Sequence, residues 1–174
     1  MKRIKNLKIT TPVTTKLDPK RKELLIEALL SGKYEQGQGQ LCVLVGGTKK
    51  YCCLGVGADI SPAQERVQPD DLDHALRVME FSMPGDLDVT KMTGERIWAS
   101  GTWSRGIAEW FGTEDSNIRF FRMFSREIVE DAEEYGGMQE LAEHTLLVEV
   151  CAASCNDELG LNFAQIADLI RFFC

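Results

Sequence analysis

The sequence predicts a single α+β domain that is rich in helices and contains one small antiparallel β-hairpin or sheet. Helices are predicted because apolar residues recur at helical spacing in several segments of the chain. The hairpin is predicted because Leu41–Val45 and Lys50–Leu54 favour strands and flank a glycine-containing turn. The chain has 174 residues, 44% of them hydrophobic, which suits one globular domain at residues 17–174 behind a basic N-terminal arm at residues 1–16.

The first half of the chain begins with a well-marked helix. It is predicted at residues 19–31, because Asp18 is a good N-cap and Gly32 suits the end of a helix. After the hairpin, Ser61-Pro62 is expected to cap a short helix. Residues 70–90 fit a helix or a strand equally well.

Four further segments of the second half have helical patterns. Residues 103–111 carry tryptophan, isoleucine and phenylalanine at helical spacing, and residues 117–135 are predicted to form a longer, acidic helix. Residues 138–154 could be helical, although Thr145–Val150 is β-branched enough to leave a strand open. The last helix follows Asn162, which forms a capping-box pattern with the glutamine three residues later.

Charge is divided unevenly along the chain, whose formal net charge is −7. Residues 1–22 hold eight basic side chains and one acid, for +7, whereas residues 23–174 hold twelve basic and 26 acidic side chains, for −14. A basic arm on an acidic body can contact an anionic partner or can remain a solvated terminus. The candidate partner-binding residues of the arm are Lys2, Arg3, Lys5 and Lys8. The acidic body argues against duplex DNA as a ligand, because proteins bind DNA mainly through cationic groups on phosphates.

No apolar run approaches the length of a membrane-spanning helix, and the N-terminus lacks the apolar stretch of a signal peptide. We therefore expect a cytoplasmic protein whose six cysteines are thiols and which does not bind membranes. Cys151 and Cys155 lie four residues apart, and could hold zinc only if the fold brought Cys52 or Cys53 to them. We favour buried structural thiols, and predict neither a metal nor a cofactor.

A cysteine hydrolase is the enzymatic alternative. It would require Cys52 or Cys53 as a thiolate nucleophile, activated by a histidine such as His144 and oriented by Asn156 or Asp157. The sequence has only two histidines and shows no motif that flanks the nucleophile of a known protease family. We therefore predict no catalytic residues, and consider a non-enzymatic protein the better interpretation.

The tryptophans supply one further candidate for partner contact. Trp103 and Trp110 are explained by the packing of the predicted helix at residues 103–111. Trp98 lies outside that helix, beside Arg96, and is the freer of the three. Because large rings supply much of the contact area in binding sites, we include Trp98 among the partner-binding residues.

Three blocks of sequence resemble a group of small accessory proteins of tailed phages and prophages, for which no activity is established. The blocks are Ser31–Tyr34, the Tyr-Cys-Cys-Leu-Gly-Val run at Tyr51–Val56, and the pattern Asn-Asp…Phe-x-x-Ile-Ala-x-x-Ile that begins at Asn156. Together with neighbouring segments, the resemblance covers about half of the chain. Members of the group have leucine where Gly57 stands and a shorter link at residues 113–140, which implies a helical insertion there.

The resemblance implies an origin and supplies no catalytic residue. Small phage proteins commonly act on the host by binding, so the expected function is inhibition of a host protein, for example one of a defence system, in the host cytoplasm. Sequestering a small-molecule or nucleotide signal and cysteine-dependent hydrolysis are the alternatives. A structural role in the virion is disfavoured by the lack of repeats and long coiled segments.

Overall fold

A computed structural model describes residues 8–11, 14–68, 76–87, 98–125 and 146–174, which contain eight strands and five helices. In chain order these are β1 (Lys8–Thr11), α1 (Pro19–Leu30), β2 (Glu35–Gln36), β3 (Cys42–Val45), β4 (Thr48–Tyr51), α2 (Cys53–Ile60), β5 (Gln64–Val67), β6 (Leu76–Ser82), α3 (Arg105–Trp110), β7 (Arg119–Ser125), β8 (Leu146–Cys151), α4 (Ala152–Asp157) and α5 (Phe163–Phe173).

The strands form two sheets. One has five strands in the order β2-β4-β3-β6-β5, in which β2 runs parallel to β4 and every other pair is antiparallel. The other is antiparallel, with three strands in the order β1-β7-β8. The prediction of a helix-rich domain with one small antiparallel hairpin or sheet is therefore wrong, because strands far apart in the sequence pair into two sheets. The architecture mixes helices and strands more evenly.

Two predicted helices are strands where the structure describes them. Arg119–Ser125, in the predicted helix at residues 117–135, is β7 and pairs with β1 and β8; the rest of that helix lies outside the described residues. The aromatic residues of this segment also favour strands. Pairing with β1 and β8 makes the segment a strand instead of the predicted helix. The helix expected after Ser61-Pro62 is wrong as well, because Gln64–Val67 forms β5 beside β6.

Two segments are open between helix and strand in the sequence, and both contain strands where the structure describes them. Within residues 70–90, Leu76–Ser82 is the strand β6. Within residues 138–154, Leu146–Cys151 is β8, the alternative that the β-branched residues left open, and a short helix follows directly.

The predicted hairpin is confirmed, although its second strand ends earlier than expected. Gly46 and Gly47 form its two-residue turn with φ values of 56° and 88°, a backbone conformation that glycine adopts without strain. The second strand ends at Tyr51, and Cys53–Ile60 is the helix α2, for which Cys52 is the N-cap. The sulfur of Cys52 accepts a hydrogen bond from the Gly55 amide at 3.4 Å.

Two glycines inside α2 permit unusually close packing. A Cβ on Gly55 would lie 1.6 Å from the carbonyl oxygen of Leu41, and a Cβ on Gly57 would lie 2.7 Å from the indole of Trp103. The Trp103 indole also donates a hydrogen bond to the Leu54 carbonyl at 2.7 Å. Glycine has a low helix propensity. Here, close contact with the Leu41 backbone and with the Trp103 indole outweighs that cost.

The helices with clear end signals are confirmed. Asp18 caps α1, and Ser104 caps α3, whose predicted span was 103–111. At α5, Asn162 and Gln165 form the predicted capping box through hydrogen bonds of 2.9 and 3.0 Å. These caps satisfy amides at the helix start that have no partner within the helix.

The core lies between the helices and the two sheets. The helix α5 packs against α1, which also contacts α2. The largest fully buried side chains include Phe81, Phe111 and Phe120, which come from β6, the end of α3 and β7. Within the described residues, no helix is long and apolar enough to cross a membrane.

Candidate functional site

A tryptophan, an arginine and a glutamate form a stacked group beside β5, the last strand of the five-stranded sheet among the described residues. Arg66 on β5 lies opposite Glu80 on β6, and its Nε atom is 2.9 Å from Glu80 Oε2. The guanidinium carbon of Arg66 lies 4.2 Å from the centre of the Trp98 ring. Trp98 is held in place because its neighbour Ala99 exchanges two backbone hydrogen bonds with Phe81 of β6.

This stacked group is partly exposed, so it can contact another molecule. The Arg66 side chain is 41% exposed, Trp98 is partly exposed, and all four residues of β5 are exposed. Tryptophan and arginine are enriched among the residues that dominate protein interfaces. Because the ion pair with Glu80 already fixes the guanidinium, less side-chain freedom is lost on binding. We refer to Arg66, Glu80 and Trp98 as the Trp98 surface.

Of the other predicted partner-binding residues, the structure describes only Lys8, which belongs to the other sheet. Lys8 lies at the start of β1 in the three-stranded sheet, paired in register with Phe124 of β7. Lys2, Arg3 and Lys5 lie outside the described residues. Trp98, by contrast, lies next to the five-stranded sheet.

The thiols that the sequence offered as nucleophiles are buried. Cys52 and Cys53 are each 2% exposed, which confirms their predicted burial, and all six cysteines are free. Burial raises the pKa of Cys52 to about 11 and that of Cys53 well above its usual value. Both groups are therefore thiols at neutral pH, whereas a cysteine nucleophile must be a thiolate. His74 and His144 lie outside the described residues.

Asn156, one of the groups proposed to orient a histidine, is fully buried, and its side chain forms hydrogen bonds with backbone and side-chain atoms. Its Nδ2 atom donates to the Gly37 carbonyl at 2.8 Å and to Asp157 Oδ1 at 2.6 Å. Its Oδ1 atom accepts a hydrogen bond of 2.9 Å from Gln36 Nε2, which also donates to the Leu161 carbonyl. The side chain of Asn156 thus joins α4 to the loop that follows β2, which explains its place in the C-terminal block.

Two tyrosines and an aspartate form a polar cluster that sequence reasoning missed. Tyr34 donates a hydrogen bond to Asp59 Oδ2 at 2.7 Å, and Tyr51 donates to Asp59 Oδ1 at 3.4 Å. Lys33 lies 3.8 Å from the same carboxylate. Burial and the nearby Asp59 raise the pKa of both phenols, which therefore remain proton donors at neutral pH. The signal was present, since both tyrosines fall in blocks of the resemblance, but their common partner Asp59 does not.

A family model described as a domain of unknown function (DUF8296) matches residues 17–173. The chain belongs to this family. The match includes the Trp98 surface, Cys52 and Cys53, and the tyrosine cluster, and β1 precedes it. No curated protein and no solved structure matches the chain.

The described part of this DUF8296 chain contains no group of three or more His, Cys, Asp or Glu residues placed to hold a metal ion. Its buried acid Asp86 has a structural role. The carboxylate accepts hydrogen bonds from the Met83 and Gly106 amides, each at 2.8 Å, and from the Ser104 hydroxyl. It thereby fixes the start of α3, and its oxygens are occupied by protein donors.

Proposed function

We propose that this protein is an accessory protein of a tailed phage or prophage that binds and inhibits a host protein in the host cytoplasm, without turning over a substrate. The resemblance of its three sequence blocks to phage proteins supports the origin. The Trp98 surface carries the proposal of protein binding, because it combines a partly exposed tryptophan with an arginine already fixed by an ion pair.

A catalytic function is less well supported than a binding function. The thiols of Cys52 and Cys53 are protonated and buried, so neither is ready to attack a substrate. The phenols of Tyr34 and Tyr51 are engaged by Asp59 and have raised pKa values, so neither is a general base at neutral pH.

The basic arm contributes to the proposal through the rate of encounter. The positive charge of residues 1–22, which include the arm, would attract an anionic partner over a Debye length of about 8 Å at physiological ionic strength. Charges of this kind raise the association rate more than they lower the dissociation rate. Lys2, Arg3 and Lys5 are the residues proposed to do this, and Lys8 joins them at the start of β1.

The test is capture of a partner from host lysate with tagged wild-type protein and with two single variants. Trp98→Ala should reduce affinity for a stoichiometric partner by about 2 kcal/mol or more, the scale of an interface hot spot. Phe172→Ala is the matched control, because Phe172 is an aromatic residue that is 82% exposed and lies on α5, outside the Trp98 surface. Circular dichroism and thermal melting must show that both variants fold.

The arm is tested on the same captured partner by replacing Lys2, Arg3 and Lys5 with glutamine while keeping Lys8 in β1. Association should slow, and the difference from wild type should shrink as salt is added. If Trp98→Ala bound the partner with the affinity of wild type, the proposed role of the Trp98 surface would be refuted. If the arm variant associated as fast as wild type, the arm would be a solvated terminus only. Full inhibition at substoichiometric protein would show turnover and reject the binding mechanism.

A further inference from the structure

The helix α1 has an exposed side on which Leu24 lies among charges of both signs. Leu25, Ile26 and Leu29 are buried in the core, whereas Leu24 is 49% exposed. A cleft of about 510 Å³ lies against this exposed side, and the described residues that line it are Pro19, Lys20, Glu23, Leu24 and Glu27. We refer to Lys20, Glu23, Leu24 and Glu27 as the α1 stripe.

The α1 stripe is complementary to itself. Lys20 and Glu27 are seven residues, about 10.5 Å, apart along the helix axis, and Leu24 lies between them. When two such helices lie antiparallel about a two-fold axis, Lys20 of each copy faces Glu27 of the other. The two Leu24 side chains then meet near the axis. A parallel pair would instead place like charges opposite one another.

The charged residues of the stripe are also without ionic partners in the part of the chain that the structure describes. Lys20, Glu23 and Glu27 form no ion pair with another described residue. Glu23 and Glu27 are four residues apart, a spacing at which like charges destabilise a helix. In the antiparallel pair, the lysine of the second copy lies opposite Glu27 and about one turn from Glu23, which offsets this repulsion.

We propose that the α1 stripe is the contact of a symmetric dimer, in which α1 packs antiparallel against α1 of a second copy. A single pair of helices buries less than the standard interface of about 1,600 Å², so the dimer is weak and forms as concentration rises. Both copies carry a net charge of −7, and this repulsion is screened at physiological ionic strength. The dimer is independent of the proposed Trp98 surface.

Sedimentation equilibrium of the full chain at rising concentration tests the dimer first. A monomer–dimer equilibrium is expected at physiological salt, and Leu24→Asn should raise its Kd about tenfold or more. Leu159→Asn is the matched control, because Leu159 is 41% exposed and follows α4 instead of belonging to α1. It should leave the Kd unchanged.

Charge exchange then tests the antiparallel pairing itself. Lys20→Glu and Glu27→Lys should each raise the Kd about tenfold, whereas the double variant, which restores both pairs with reversed sign, should return it to within about threefold. Glu158→Lys controls for the change in net charge. A monomer at every concentration would overturn the proposal, and so would a dimer that the double variant weakens as much as the single ones. If Leu24→Asn abolishes binding of a different protein to a monomeric chain, the stripe belongs to that partner instead.

Discussion

Replacing Gly55 with alanine should destabilise this fold severely, although the same change in an exposed helix would stabilise it. The added Cβ would lie 1.6 Å from the Leu41 carbonyl oxygen and 2.5 Å from its carbonyl carbon. Ordinary contact begins at 3.4 Å, so α2 and the Leu41 backbone would have to separate by about 1.8 Å. Backbone atoms cannot rotate away as a side chain can, and the Leu41 oxygen also accepts the Cys52 amide.

The expected magnitude follows from three effects. Overpacking of a well-packed core costs about 1–3 kcal/mol, and the rigid backbone places this site at the upper end. Weakening the hydrogen bond to Leu41 costs about 1 kcal/mol more, whereas the better helix propensity of alanine recovers about 1 kcal/mol. We expect the free energy of unfolding to fall by about 3 kcal/mol.

Urea denaturation followed by circular dichroism measures this change. Gly101→Ala is the matched control, because a Cβ at Gly101 would meet no atom within 4 Å, and it should change stability by less than about 0.5 kcal/mol. If Gly55→Ala were as stable as wild type, α2 would not approach Leu41 as closely as the structure shows. The structural explanation of the Tyr51–Val56 block would then be wrong.

Three further predictions concern the buried core and the buried thiols. Ile166→Ala should lower the free energy of unfolding by about 2–5 kcal/mol, because Ile166 is fully buried. Phe172→Ala, at an exposed position, should lower it by less than about 0.5 kcal/mol. Equal effects of the two changes in urea denaturation would contradict the packing of α5. Cys42, Cys52 and Cys53 should not react with an aromatic disulfide reagent until the chain unfolds, and prompt reaction in the native state would contradict their burial. Because burial raises the pKa of Cys42 to about 12 and of Cys52 to about 11, their contribution to stability is present below the unfolded thiol pKa of about 8.5 and is lost as pH rises through about 11–12.

Features encoded by neighbouring residues could be predicted from the sequence. Asp18 before α1 and the Asn162–Gln165 pair at α5 act within one helical turn, so their capping is readable without the rest of the fold. The turn at Gly46-Gly47 is equally local. Each of these was predicted at the right place.

Features that depend on distant residues could not be predicted. Gly55 and Gly57 make the segment after Tyr51 look unlike a helix, and the reason for them lies in the Leu41 backbone and the Trp103 indole. The segment Arg119–Ser125 fits both a helix and a strand until β1 and β8 pair with it.

The same limit applies to the candidate site. Trp98 was selected only because the other tryptophans had a role in a predicted helix. Its partners Arg66 and Glu80 are joined by the register of β5 and β6, which no spacing in the sequence indicates. Asp59 was missed for the same reason, because its two tyrosines come from the segment after α1 and from β4.

The sequence blocks that mark this chain and the surfaces that could bind a partner are different sets of residues. In the blocks, Cys52 caps a helix, Gly55 fits against a carbonyl, and Asn156 bonds to the backbone of the loop after β2. Such residues specify how the elements pack, so changing them should alter stability before it alters the choice of partner. Residues that choose a partner must instead be exposed and free to differ without unfolding the chain. Trp98 is partly exposed and the residues of the α1 stripe are exposed, so we expect changes at these surfaces to alter binding even when every block is intact.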